Sequence, residues 1–235
     1  MEELRRKANL IGISLTDKQC NQFQTYYEFL IEKNKVMNLT GITEKQEVID
    51  KHFIDSLALA SKFDLSKNWK VLDLGTGAGF PGIPLKIAFP NLEITLLDSL
   101  NKRIKFLDEV IEMLSLSDIY TIHGRAEDFA KKGKLRNQFD LCVSRAVANL
   151  SSLSEYCIPY LKKGGFFISY KSGNVEEEVK QAQNAIHILG GKLQDVKEFK
   201  IPETDISRTF VMIEKRKETP NKYPRKAGLP SKDPL

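Results

Sequence analysis

The sequence predicts an α/β fold: a Rossmann-like, mostly parallel sheet finished by a C-terminal antiparallel hairpin and preceded by a helical N-terminal extension. Three observations predict it. From Lys70 to Leu189 short apolar runs alternate with helical patterns, the mark of βαβ units covered on both faces. A glycine-rich turn, with Gly75, Gly77, Gly79 and Gly82, follows the first of those runs directly. Near the end, Leu193 to Ile201 and Arg208 to Lys215 read as two strands joined through Pro202-Glu203-Thr204-Asp205, a link too short for anything but an antiparallel pair.

Each element has its own justification. In residues 1–65, the helical extension, Thr16-Asp17-Lys18-Gln19 has capping-box spacing, and Phe23, Tyr26, Tyr27, Leu30 and Ile31 recur at helical intervals. Asn38-Leu39-Thr40-Gly41 breaks the pattern, Thr43-Glu44-Lys45-Gln46 offers a second capping box, and His52, Phe53, Leu57 and Leu59-Ala60 predict a further helix. In residues 66–217, the core, strands are expected at Val71-Leu74, Ile94-Leu97, Ile119-Ile122, Phe139-Val143 and Phe166-Tyr170. Helices are expected through Pro84-Ala88, Lys102 to Leu114, Leu150 to Leu161 and Val175 to Leu189. Lys162-Lys163-Gly164-Gly165 reads as a C-cap with cations in the last turn, and Gly190-Gly191 as a second stop. Residues 218–235 form a basic, proline-rich tail, expected to be irregular.

Composition narrows the function classes. No apolar run approaches the roughly 20 residues that cross a bilayer, and the first residues lack a secretory pattern. Cys20, Cys142 and Cys157 are odd in number and far apart, so no disulfide framework is expected and a reducing cytoplasm is the expected compartment. The net charge is +5, and +4 of it lies between Glu214 and Leu235, which hold seven basic and three acidic residues. A phosphate contact and a solvated tail account for that distribution equally well.

The chemistry concentrates in Val71-Leu72-Asp73-Leu74-Gly75-Thr76-Gly77-Ala78-Gly79-Phe80-Pro81-Gly82. Glycines at a strand-to-helix bend let backbone approach a ligand where a Cβ would collide. Asp73 stands two residues before the first glycine; a carboxylate there repels a pyrophosphate and suits a ligand with a cationic amino-acid end. Nineteen residues beyond Gly79, Asp98 closes a strand where a carboxylate takes the two hydroxyls of a ribose. Asp98 fits S-adenosylmethionine (AdoMet) and NAD alike, and Gly77-x-Gly79-x-x-Gly82 also satisfies the short dinucleotide pattern. Asp73 places AdoMet ahead. A merely structural turn accounts for neither the glycine density nor Asp98.

Later strand ends supply further candidates. Gly124-Arg125-Ala126-Glu127-Asp128 follows strand three, where an adenine would lie; Asp128 is explained as a helix-starting acid, and Glu127 less so. Ser144-Arg145-Ala146-Val147 follows strand four, facing the entry of a methyl acceptor. That run is not the Asp/Asn-Pro-Pro-aromatic sequence of exocyclic-amine methylation. Cys142 and Cys157 fall where buried thiols are expected rather than nucleophiles, and His52, His123 and His187 have no metal-ligand spacing with the cysteines, so no metal is expected.

Taken together, Asn38-Leu39-Thr40, His52-Phe53-Ile54-Asp55-Ser56-Leu57, the glycine run, Asp98-Ser99-Leu100-Asn101-Lys102-Arg103, Arg125-Ala126-Glu127, Ser144-Arg145-Ala146-Val147 and Tyr223-Pro224-Arg225-Lys226-Ala227-Gly228 carry a resemblance over nearly the whole chain. The sequence resembles the bacterial 16S ribosomal RNA guanine-N7 methyltransferase G family, also called glucose-inhibited division protein B. The resemblance implies a class I AdoMet-dependent methyltransferase sheet, with AdoMet contacts at Gly75, Phe80, Asp98, Ser99, Leu100, Ala126, Glu127 and Arg145, alongside Gly77 and Gly79 of the bend. It implies 16S rRNA or a small-subunit precursor as partner. A monomer is the expected state. Guanine N7 has a free lone pair and needs no general base, so no catalytic residue is assigned; Arg145 and Lys171 are the candidates. Arg125, Arg145, Lys171, Lys222, Arg225 and Lys226 are the expected RNA contacts. A nicotinamide oxidoreductase, a small-molecule methyltransferase and a non-catalytic RNA-binding protein are the competing readings.

Overall fold

The computed structural model of the chain describes residues 1–145 and 148–235. Among these, strands β1 (Lys70–Leu74), β2 (Glu93–Asp98), β3 (Ile119–His123), β4 (Phe139–Arg145), β5 (Leu161–Ser172), β6 (Gly191–Lys200) and β7 (Ser207–Lys215) form one sheet in the order β3-β2-β1-β4-β5-β7-β6. The first five strands pair in parallel, while β7 runs antiparallel to β5 and β6 antiparallel to β7. The strand order reverses beside β1, with β2 on one side and β4 on the other. In an open parallel sheet that reversal leaves a crevice beyond the strands' carboxyl ends.

The expected extension comprises α1 (Glu2–Leu10), α2 (Asp17–Met37) and a helical run built from α3 (Lys45–Val48), a π-turn over Ile49–Ile54, α4 (Asp55–Leu57) and a 3₁₀ turn at Ala58–Ser61. Thr16 caps α2 as the spacing predicts, its side chain accepting from Gln19 N while the Gln19 side chain accepts from Thr16 N. The second capping box does not form: the cap of α3 is Glu44, with no side-chain bond. Thr43 and Gln46 are exposed there, and the Gln46 side chain donates to Asp50 Oδ2 at 3.2 Å instead.

The extension shares its apolar interior with the sheet. Phe23, Leu30 and Phe53 belong to one buried cluster with Val71, Ile83 and Phe106. The remaining helices are α5 (Gly82–Ala88), α6 (Asn101–Met113), α7 (Ala126–Phe129), α8 (Leu150–Cys157), α9 (Glu176–Ile188) and α10 (Leu229–Lys232).

A further expectation is corrected. The helix foreseen to Leu161 stops at Cys157, and Lys162-Lys163-Gly164-Gly165 lies inside β5. Pro159 has no N–H to continue the ladder and imposes a 3₁₀ turn, after which Leu161 pairs with Phe139. The two glycines absorb a register shift against β4: a Cβ on Gly165 would stand 2.9 Å from the Asp140 carbonyl. The tail, expected to be irregular, is mostly so, but it ends in the short α10 and buries Tyr223 and Pro230.

Candidate active site

The bend after β1 is shaped by side chains behind it. Gly79 has φ +100°, and a Cβ there would lie 2.6 Å from Ile83 Cγ1 and 2.9 Å from the Tyr26 hydroxyl. Tyr26, fully buried on α2, donates to the Ala78 carbonyl, so the extension supports the bend from behind. Gly77 has φ +62° with no atom near its would-be Cβ; there the backbone conformation alone favours glycine.

Asp73 is wholly buried. Its Oδ2 accepts from Thr76 Oγ1 at 2.7 Å and Gly82 N at 2.8 Å, while Oδ1 has no partner. Burial pushes its carboxyl up to about 6, against the lowering effect of those two bonds. An orphaned acceptor at this bend fits a ligand that brings its own donor. Asp98 is also buried: Oδ1 accepts from Leu100 N at 2.9 Å, and Oδ2 from Gly77 N at 2.9 Å and Arg103 Nη1 at 3.2 Å. Oδ1 therefore keeps acceptor capacity for a hydroxyl.

Gly75, Asp98, Ser99, Leu100, Ala126 and Glu127 line one cleft of about 520 Å³ beyond the ends of β1 and β2. Gly77 and Gly79 form the bend beneath it. Arg125 stands at its exposed rim. Glu127 is buried and accepts from Gly228 N at 2.8 Å, whereas Asp128 turns to the surface beside Lys131. Sequence reasoning missed Arg103, Tyr156 and Gly228 on this wall. Arg103 and Gly228 each had a signal, closing two of the runs that carry the family resemblance; Tyr156 had none.

Phe80 and Arg145 are not on that wall. Arg145, with Lys171, lines a second cleft of about 480 Å³ beyond β4 and β5. There Asp55, 2% exposed, accepts from Arg145 Nη1 at 2.8 Å and Arg208 Nε at 2.9 Å. Arg145 therefore has a packing role that the sequence did not show. The Phe80 ring lies behind the second cleft: the His52 ring stacks on it at 4.4 Å and the Arg145 guanidinium lies 5.0 Å from its centroid. Burial, then the Arg145 charge, holds His52 down to about 3, so its ring is neutral. Lys171 donates to Glu178 at 2.6 Å and to the Ala148 carbonyl at 3.0 Å. Ala146 and Val147 of the predicted acceptor-facing run lie outside the described residues.

The tail cations separate. Lys222 and Lys226 are exposed, but Arg225 is engaged by the buried Glu155, from Nη2 to Oε2 at 2.8 Å and from Nε at 3.1 Å. Cys142 and Cys157 are fully buried, as core thiols, and burial raises Cys142 well above the ordinary thiol range. Among the described residues no helix is long and apolar enough to cross a membrane.

Comparison with known proteins decides the family. The model of the GidB family, described as rRNA small subunit methyltransferase G, matches residues 19–208. The chain belongs to the rRNA small subunit methyltransferase G family. Relatives named "Ribosomal RNA small subunit methyltransferase G" include that of Lachnoclostridium phytofermentans, 55% identical over 96% of this chain and 93% of the relative. That of Clostridium tetani is 52% identical over 99% and 97%. Among solved structures, M. jannaschii TYW2 in complex with AdoMet aligns with a TM-score of 0.57 at 17% identity, covering 74% of this chain and 79% of that one. The YcgJ protein of Bacillus subtilis aligns with a TM-score of 0.57 at 12% identity, over 71% of this chain and all of that one. These likenesses show the class I methyltransferase fold for this member of the methyltransferase G family.

Proposed function

We propose that the chain transfers a methyl group from AdoMet to N7 of a guanine in 16S rRNA. The observation that carries this reading is the presence of two unlike clefts on one edge of the sheet, one beyond β1 and β2 and the other beyond the neighbouring β4 and β5. The first is lined by the carboxylates Asp98 and Glu127, with Asp73 buried behind its glycine bend; the second is lined by Lys51, Arg145, Lys171 and Arg208, suited to a polyanion. The family's name, borne by relatives that match nearly end to end, supports the RNA substrate.

The residues fit AdoMet in kind. Asp98 would hold the ribose, Asp73 at the bend would face the amino-acid end, and Ala126 and Glu127 would border the adenine. When bound, AdoMet supplies an electrophilic methyl on a sulfonium. Guanine N7 offers a lone pair and loses no proton, so the chain's residues have to orient the base and exclude water rather than abstract a proton. His52, lowered to about 3 by burial and then by the Arg145 charge, suits that task as a poor proton acceptor. Arg145 and Lys171 would orient the nucleotide, and Arg125, Lys222 and Lys226 would meet phosphates at the rim. The proposal includes the cytoplasm as compartment and a monomer as the working state.

The test is to incubate the protein with methyl-labelled AdoMet and unmodified 16S rRNA, then map N7 marks by borohydride and aniline cleavage. Label in RNA with cleavage at one guanine is the expected result. Label without an N7 cleavage would refute the position, and no label in RNA would refute the substrate.

A further inference from the structure

We propose that the C-terminal segment from Tyr223 to Asp233 is a wall of the cofactor cleft, which positions Glu127 and is held in place by Arg225, a side chain turned to the protein rather than to RNA. This deepens the AdoMet reading and rests on it. The Gly228 N–H donates to Glu127 Oε1 at 2.8 Å, and Gly228 itself lines the cleft beside Tyr156. Gly228 has φ +82°, in the left-handed region that favours glycine, which lets the chain turn its N–H toward the cleft.

The segment is fastened on both sides of that contact. Upstream, Arg136 donates to the Tyr223 carbonyl at 2.7 Å, and Tyr223 is buried. In the middle, Glu155, which is 0% exposed, accepts from Arg225 N at 2.7 Å and from its guanidinium at 2.8 and 3.1 Å. Downstream, Ser152 Oγ donates to the Pro230 carbonyl at 2.7 Å. Glu155, Ser152 and Tyr156 all lie on α8, so the helix that carries the latch also carries a cleft side chain.

Unlike the two guanidiniums that share Asp55 and leave a net positive charge, Arg225 is matched by Glu155 and Asp233 and has no excess charge for a phosphate, and leaving would strand the buried acid. Arg225 is thus a positioning residue. It fixes the tail, the tail's Gly228 fixes the Glu127 carboxylate, and Glu127 faces the adenosine end of the cleft.

Two measurements test this on the full chain. Calorimetric titration with AdoMet should give a dissociation constant roughly tenfold weaker for Arg225→Met than for wild type, the loss expected from one charged contact. The KM for RNA should change less than about twofold, since no phosphate contact is removed. In the wild-type protein, AdoMet without RNA should slow amide exchange across residues 224–231, a measurement independent of whether the variant folds. An unchanged AdoMet affinity in a folded variant would overturn the wall, as would a rise in RNA KM alone or an unprotected tail. If wild type does not bind AdoMet, the cofactor reading falls together with the wall; if wild type binds and the variant matches it, only the wall falls.

Discussion

In the first cleft Asp98 and Glu127 accept chiefly from backbone N–H groups, whereas in the second Asp55 accepts from two guanidiniums. Backbone donors satisfy a carboxylate without cancelling its charge. Two arginines more than cancel it. The first wall balances Asp98 and Glu127 with Arg103 and Arg125; the second sets four cations against Asp55 and Glu178. One sheet edge thus has an acid-bearing half suited to a positively charged donor and a basic half suited to a polyanion. The difference lies in what the acids are bonded to, not in how many there are.

The largest break of that comparison is Asp55→Ala, which strips two part-buried guanidiniums of their shared partner. A loss of about 3–5 kcal/mol is expected in urea unfolding, because a broken buried pair leaves uncompensated charge. A loss below about 1 kcal/mol would mean that water already serves the two arginines.

Asp73 sharpens the comparison through pH. Folding raises its carboxyl from 3.8 to about 6, so the folded chain holds the proton more tightly than the unfolded chain. Its stabilising contribution is complete below about pH 3.8 and is lost as pH rises through about 6. Asp73→Asn should therefore make the chain more stable than wild type by about 2–3 kcal/mol at pH 8, with the advantage vanishing near pH 4. AdoMet affinity should fall in the same variant. Urea midpoints at the two pH values check the sign, and an advantage that grows toward acid would refute it.

Asp98→Ala should weaken AdoMet about a hundredfold in calorimetry, as loss of a charged acceptor that also orders the glycine bend through Gly77 N does, while RNA binding stays within about twofold. Lys171→Glu is the mirror experiment: RNA KM is expected to rise roughly tenfold with AdoMet affinity unchanged, since only the polyanion side is altered. Intact RNA methylation in that variant would remove Lys171 from the RNA surface. The smallest effect belongs to the exposed Lys222. Lys222→Ser should raise RNA KM by less than about threefold and steepen nothing in its salt dependence, one contact being at most one released counterion.

The sheet was legible because its strands are short apolar runs set between helical patterns, and the hairpin because its link is too short to cross over. The first cleft was legible for a related reason: Gly75 and Asp98 end adjacent parallel strands, so chain order and spatial order agree. The second was not. Arg145 and Arg208 reach Asp55 across 90 and 153 residues, and no local pattern ties one acid to two such distant bases. Gly228 reaches Glu127 across 101 residues in the same way. The diglycine at Gly164-Gly165 misled because a helix stop and a strand irregularity ask for the same residue, and only the pairing with β4 distinguishes them.

The hydroxyl of Tyr26 against the carbonyl of Ala78 has a consequence for biosynthesis. Residues 1–65 are translated before Phe80 and Phe106, yet Tyr26 and Phe53 pack on Phe80 and Phe29 stacks on Phe106. The nascent amino-terminal third therefore carries exposed aromatic surface until the glycine bend emerges. Its first dozens of residues wait on a segment not yet made, which leaves the early chain open to chaperones in the interval.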